Sequence, residues 1–361
     1  MIINSKIPFV SIIVPVYNAA LTIENCVISL TSQTFTNIEI LLINNGSTDN
    51  SLAICRKLAS NDDRIRVVDH YEKGISTARN RGILESVGDF IMFVDADDWI
   101  DSNVCEVFAK HNAKNEYDLF CFSAQYHKRK KITKTYLFEQ NIDLMNDNQK
   151  EELQIKIFAP RAPHLKFKVN TRFADMVWGR FYRRKIIIDK NFRFVKNLAI
   201  SEDCLFNILA LDDFYRIGYS KDVYYHYKLH LNQSAQYSFR ANSDKSFGFI
   251  INQVQRWLLE AKKNKKIINA ANCLFVHYVF GILKEDIFHL DNPQTFKQKK
   301  EKFKEVLEKE PFCSCLKNYN SDYFSLSEKC LLFLIKKKCY ELLAVFFYFY
   351  NRILLCLIDR I

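Results

Sequence analysis

Four short apolar runs, each closed by polar residues, dominate the first hundred residues of this 361-residue chain. Residues 10–16, 38–43, 65–68 and 90–94 are rich in Val, Ile, Leu and Phe and have the length of buried strands. The segments between them, about 22–32, about 48–59 and the stretch after Gly74, have the length of helices. Strand, helix, strand at this interval predicts parallel βαβ units, with Asn18 placed to cap the first helix. In such sheets ligands bind beyond the carboxyl ends of the strands. The four runs end on Tyr17-Asn18, Asn44-Asn45, Asp69 and Asp95-Ala96-Asp97-Asp98, so four successive turns point to one site.

Beyond residue 100 the pattern loosens. A helix near 103–112 and a strand near 117–122 complete the expected core, and 127–155 reads as a loop-rich insertion. Residues 176–230 regain αβ character, 245–310 read as helices with lysine-rich faces, and 329–361 alternate apolar blocks with basic residues. The expected organisation is a domain over 1–240, in two halves at about 9–122 and about 123–240. A helical region over 241–361 follows.

Composition narrows the function classes. With 48% hydrophobic and 26% charged residues, but only 8 glycines and 6 prolines, the chain is neither disordered nor fibrous. Eleven scattered cysteines form no CxxC pair, which argues against structural zinc. Without a recognisable leader, the expected location is a reducing cytoplasm, or the inner face of the cell membrane. Charge is uneven: the first hundred residues hold 8 basic against 12 acidic residues, the remainder 44 against 29. The acidic first segment and the lack of a known motif predict no nucleic-acid partner. Nucleotidyl transfer would call for a basic, glycine-rich triphosphate loop near the N-terminus, and Tyr17-Asn18-Ala19-Ala20 is neither.

Asp95, Asp97 and Asp98 crowd three carboxylates into one turn, which is costly without a cation or hydrogen-bond donors. Hard ions such as Mg²⁺ or Mn²⁺ take carboxylate and phosphate oxygens together. A solvated acidic turn ahead of Trp99 is the alternative, and the strand-end position favours the ion.

Four ordered blocks then carry a resemblance. They are Val10-Ser11-Ile12-Ile13-Val14-Pro15-Val16-Tyr17-Asn18, Ile43-Asn44-Asn45-Gly46-Ser47-Thr48-Asp49, Gly74-Ile75-Ser76-Thr77-Ala78-Arg79-Asn80-Arg81-Gly82 and Phe93-Val94-Asp95-Ala96-Asp97-Asp98. Together they resemble the family 2 glycosyltransferases of bacterial surface-polysaccharide synthesis, closely over 9–100 and more loosely to about 235. The resemblance implies a GT-A fold, a nucleotide-binding, Rossmann-like mixed α/β sheet flanked by helices. It also implies an inverting transfer from a nucleotide-sugar donor, UDP-linked by expectation, to a glycan or lipid-linked glycan acceptor.

The same resemblance assigns roles. Pro15, Val16, Tyr17 and Asn18 would meet the base. Asn44 and Asn45 stand where the family has an aspartate pair, and an amide donates as well as accepts. Arg79 would reach ribose or phosphates, unless it pairs with a carboxylate on its own helix. Asp95 would bind the ribose or support the metal, Ala96 would contact the donor, and Asp97 would be the main metal ligand. Asp98 would be a second ligand or its partner. Ser201-Glu202-Asp203 resembles the family's acidic pair, giving Asp203 as base and Glu202 as its acceptor-orienting neighbour; alternatively Ser201 caps a helix with acids in its first turn. Trp178 either lines the acceptor pocket or is core. His230 could hold the metal or assist the leaving diphosphate, with Lys228 offsetting charge. Residues 342–350 are too short to span a bilayer. They could lie on a membrane surface, pack as core or form a homodimer contact.

Overall fold

A computed structural model describes residues 8–129, 131–168, 172–198, 200–229 and 239–359. The chain divides into two compact units, one of residues 1–153 and 169–229, the other of 154–168 and 230–361. The boundary near 240 expected from sequence falls at 229, and the short stretch 154–168 belongs with the C-terminal unit.

The first unit begins as the apolar runs dictate, with β1 (Val10–Val16), α1 (Ile23–Thr31), β2 (Ile38–Asn45), α2 (Ser51–Ala59), β3 (Ile65–His70), α3 (Ile75–Glu85) and β4 (Phe90–Phe93). It continues through β5 (Trp99–Ile100), α4 (Val104–Asn115), β6 (Leu119–Lys128), β7 (Lys131–Thr135) and α5 (Asp147–Phe158), which crosses into the second unit. It closes with β8 (Arg180–Arg183), α6 (Arg184–Asp189), α7 (Glu202–Ala210) and β9 (Ile217–Lys228).

One nine-stranded sheet runs β3-β2-β1-β4-β8-β6-β9-β5, with β7 paired to β6. β1 pairs in parallel with β2 and β4, and β2 with β3. β8 then enters antiparallel between β4 and β6 and makes the sheet mixed. Every residue of β2 is buried, as expected of a parallel strand covered on both faces. Its one carboxylate is paired rather than exposed: Glu39 accepts from Ser11 Oγ (2.5 Å), the Val87 N–H (2.8 Å) and Arg66 Nη1 (3.2 Å).

Gly82 lets α3 lie close on β1, because a Cβ there would stand 2.3 Å from Ile13 Cγ2. Gly82→Ala is expected to cost about 1–3 kcal/mol through overpacking, more than the gain in helix propensity returns. A lower urea midpoint with unchanged slope is the expected readout; an unchanged midpoint would show that Ile13 yields.

Two local expectations are corrected. Asn18 does not cap α1: Thr22 holds the cap position, and Asn18 takes a left-handed φ of 48° that turns it towards the β2–α2 loop. The segment 127–155 is not merely loop, since it contains most of the β6–β7 hairpin and the start of α5. The polar half of β6, from Ser123, carries little apolar signal because it is held by pairing to β7 and β9.

The second unit is helical, with α8 (Ser243–Glu260), α9 (Lys265–Gly281), α10 (Phe296–Glu308), α11 (Phe312–Lys317), α12 (Leu326–Lys336) and α13 (Tyr340–Asp359). The stretch Lys265–Ile287 is long and apolar enough to cross a membrane, but most of it is buried as this unit's core helix. α13 divides its apolar run: Leu343, Ala344 and Phe347 are buried, while Leu342, Val345, Phe346 and Phe349 face outward.

Candidate active site

The turns after β1 and β2 are laced together by their own polar residues. Asn18 Oδ1 accepts from the Thr48 N–H (2.8 Å), and the Asn18 N–H donates to Ser47 Oγ (3.1 Å). The Ala19 and Ala20 N–H groups donate to Ser51 Oγ (2.8 Å) and Asp49 Oδ2 (3.1 Å). Pro15 and Val16 end β1 beside Ile43 and Asn44, and Tyr17 beyond them is half exposed. Asn44 is buried and donates through Nδ2 to Asp69 Oδ1 at the end of β3 (2.7 Å). Asn45 is also buried, and its Oδ1 has no hydrogen-bond partner among the described residues. A buried orphan acceptor at a strand end is a costly feature and a natural seat for a ligand donor.

The aspartate turn after β4 splits into two roles. Ala96 is buried, and Asp95 and Asp97 are partly exposed. Asp98, expected as a second metal ligand or the partner of one, is turned inward. Its Oδ2 accepts from Tyr225 Oη (2.7 Å) and its Oδ1 from the Lys228 N–H (2.8 Å). Tyr225 Oη in turn accepts from the Asp95 N–H (3.1 Å), so β9 fixes the shape of the turn. Burial, then the neighbouring Asp95 and Asp97, pushes the Asp98 carboxyl well above the usual range, and the two donors pull the other way. Lys228 therefore reaches the turn through its backbone. Trp178 is buried core, stacked on Tyr225 at 4.4 Å, and is not an exposed acceptor platform.

Arg79 links this turn to the other half of the site. It is 1% exposed on α3, and its alternative partner, a carboxylate on its own helix, is not the one it takes. Its guanidinium donates to Asp95 Oδ1 (3.2 Å), Glu202 Oε1 (3.1 Å) and Asp203 Oδ1, and lies 5.3 Å from the centre of the Phe194 ring. Asn80 next to it braces the Phe194 backbone, donating to its carbonyl (2.7 Å) and accepting from its N–H (2.8 Å).

Three carboxylates thus share one cation. Burial holds the Asp203 carboxyl well above the ordinary range, Arg79 draws it down, and Glu202 and Asp95 push it up again. Asp203 Oδ2 also accepts from the Val177 N–H (3.4 Å). Ser201 precedes α7 with φ 58° and makes no side-chain cap, so capping does not account for this motif. A partly exposed aspartate with a raised pKa, oriented by an arginine, is chemically a proton acceptor. The pairing spans 124 residues, and the motifs at either end were legible while their contact was not.

Sequence reasoning missed a second cluster at β5. His226 Nε2 bonds Asp101 Oδ1 (2.8 Å), while its Nδ1 faces Gln125 Nε2 (2.7 Å) and His127 Nε2 (3.2 Å). Trp99 stacks on His226 at 5.1 Å. Trp99 and Asp101 follow directly on the aspartate turn, the one sequence cue available.

Residues 11–189 match the family model described as glycosyl transferase family 2. The chain belongs to that family. A relative described as the uncharacterized glycosyltransferase EpsJ of Bacillus subtilis is 32% identical over 242 residues, 66% of this chain and 66% of EpsJ, just short of two thirds of its length. Among solved structures, S. aureus TarS 1-349 in complex with UDP-GlcNAc is similar over 95% of this chain and 91% of that one, with TM-score 0.66 and 18% identity. The mannosyltransferase PcManGT of Pyrobaculum calidifontis, in complex with GDP-Man and Mn²⁺, covers 96% of this chain and 88% of its own, with TM-score 0.50 and 13% identity. At such identities the likeness is one of fold, and it agrees with the GT-A family's mixed sheet followed by a helical region.

The donor chemistry for a divalent ion is reduced but present. No group of three or more His, Cys, Asp or Glu side chains that could hold a metal occurs among the described residues. Asp98 is committed elsewhere, and His230 lies outside the described residues. Asp97 with Asp95 still offers hard oxygen ligands, and an ion of the Mg²⁺ type needs only one or two carboxylates when phosphates and waters complete its shell.

Proposed function

We propose that this chain transfers a sugar, with inversion, from a nucleoside diphosphate, UDP in the first instance, to a hydroxyl of a glycan or lipid-linked glycan. The observation that carries this reading is Arg79, one buried guanidinium that ties the strand-end Asp95 to Glu202 and Asp203. Pro15, Val16, Tyr17 and Asn18 line the base end, with Asn44 and Asn45 beneath. The orphan Asn45 Oδ1 suits an N–H donor on the base. UDP is favoured by the fold likeness to TarS, whose structure holds UDP-GlcNAc. Mn²⁺ or Mg²⁺, held by Asp97 with Asp95 beside it, would offset charge on the departing diphosphate.

Asp203 takes the proton of the acceptor hydroxyl as that oxygen bonds to the anomeric carbon from the face opposite the diphosphate. The anomeric carbon–oxygen bond breaks, its electron pair leaves with the nucleoside diphosphate, and the configuration inverts. Glu202 shares Arg79 and so keeps the base oriented.

A donor screen tests the reading. UDP-, GDP- and dTDP-sugars are incubated with Mn²⁺ or Mg²⁺, and nucleoside diphosphate release is followed. Release from at least one donor, abolished by EDTA, is the expected result. No release from any donor with either metal, with or without glycan acceptors, would sink it.

A further inference from the structure

The C-terminal unit carries a cavity of about 1020 Å³ that has no part in the chemistry above. Its apolar wall comes from α10 and α12 through the buried Leu307, Leu332 and Ile335. Around it stand Lys265, Lys317, Lys336 and Lys338, and none has a carboxylate partner among the described residues. Elsewhere in this unit lysines find acids when acids are near, as in Lys300–Glu341 (2.5 Å) and Lys302–Asp244 (3.1 Å). The cavity lining has a single carboxylate, Glu308, and it already accepts from Tyr340 Oη (3.2 Å). Four cations against one engaged acid, gathered round a concavity, favour an anionic occupant.

The rest of the lining refines the class. Tyr319 and Tyr340 add half-buried aromatic rings, and Asn269, Asn318 and Asn320 add amides that both donate and accept. Rings beside amides suit the alternating C–H faces and hydroxyls of sugars, and the lysines suit carboxylate or phosphate groups on them.

We propose that this cavity binds an acidic glycan, a sugar chain bearing carboxylate or phosphate. It rests on the proposed function only in taking that glycan to be the acceptor chain, and binding is read without turnover.

Cys313 lines the cavity and is half-buried, whereas the exposed Cys330 does not line it, so the full chain holds both probe and control. N-ethylmaleimide labelling of each is followed by peptide mass spectrometry. The additions are a hexuronic-acid tetrasaccharide, a phosphorylated glucose tetrasaccharide, the neutral glucose tetrasaccharide, inorganic phosphate, or phosphatidylglycerol vesicles. Either acidic tetrasaccharide is expected to slow Cys313 and not Cys330, with the neutral one inactive. In Lys336→Gln/Lys338→Gln, two exposed positions, half-protection is expected to need about tenfold more ligand; an unchanged Cys330 rate reports an intact fold. The proposal is overturned if neither acidic tetrasaccharide protects, if the neutral one or phosphate alone protects as well, if only the vesicles protect, or if the double variant behaves as the wild type. A failed donor screen beside positive protection would remove the acceptor reading and leave the site.

Discussion

Asp203→Asn is expected to lower turnover by about 10²–10⁴-fold, the usual contribution of a general base. UDP affinity is expected to stay close to that of the wild type. Asparagine keeps the shape of the side chain and an acceptor oxygen for the Val177 N–H, while Arg79 retains Asp95 and Glu202. The pH dependence gives an independent check. Burial raises the Asp203 carboxyl, and the ionised form is the active one, so wild-type kcat/KM falls with acidity through a pH above the ordinary aspartate range. The stability sign is the reverse of that of an acid whose folded pKa is lowered. An aspartate with a raised folded pKa favours folding most below its unfolded pKa of about 4, and that contribution is lost as pH rises through the folded value. Removing the charge therefore carries no ionisation penalty at neutral pH, and the variant is expected to melt no lower than wild type there. Full turnover in Asp203→Asn would place the base elsewhere.

Arg79→Met is expected to lose fold stability as well as activity. Its side chain is 2% exposed, and its removal strands Asp95, Glu202 and Asp203 with no cation between them. Removing one partner of a buried ion pair costs about 3–5 kcal/mol, and the partial exposure of Asp95 favours the lower end of that range. Because Arg79 draws the Asp203 carboxyl down, its loss moves the acid limb of any residual activity to higher pH. The stability deficit shrinks on acidification, when the stranded Asp203 carboxylate takes up a proton. Arg79→Lys keeps the charge but not the planar fork that reaches three partners, and is expected to fall between. Denaturant unfolding at pH 7 and pH 5 checks the sign; equal stability of wild type and Arg79→Met at pH 7 would contradict it.

The parallel half of the fold was legible because apolar runs of strand length carry their own signal, and β1, β2, β3 and β4 form near the positions predicted. The polar half of β6 and its partner β7 were not, since pairing rather than side-chain burial holds them. At the site, sequence supplied the residues and not their orientations. Asp97 and Asp98 are chemically identical neighbours, and it is Tyr225 and the Lys228 N–H on β9, some 130 residues on, that turn the second one inward. Asn18 reads as a helix cap, yet the nearer need is the Thr48 N–H of the next loop. Arg79 reads as a phosphate contact, and the tertiary fold gives it three carboxylates.

Titrating UDP into wild type and Asp97→Ala, with and without Mn²⁺, tests most directly whether the turn after β4 is the donor site. Tighter wild-type binding with Mn²⁺, and loss of that increment in Asp97→Ala, is the predicted result. Equal, Mn²⁺-independent affinity in both proteins would contradict it.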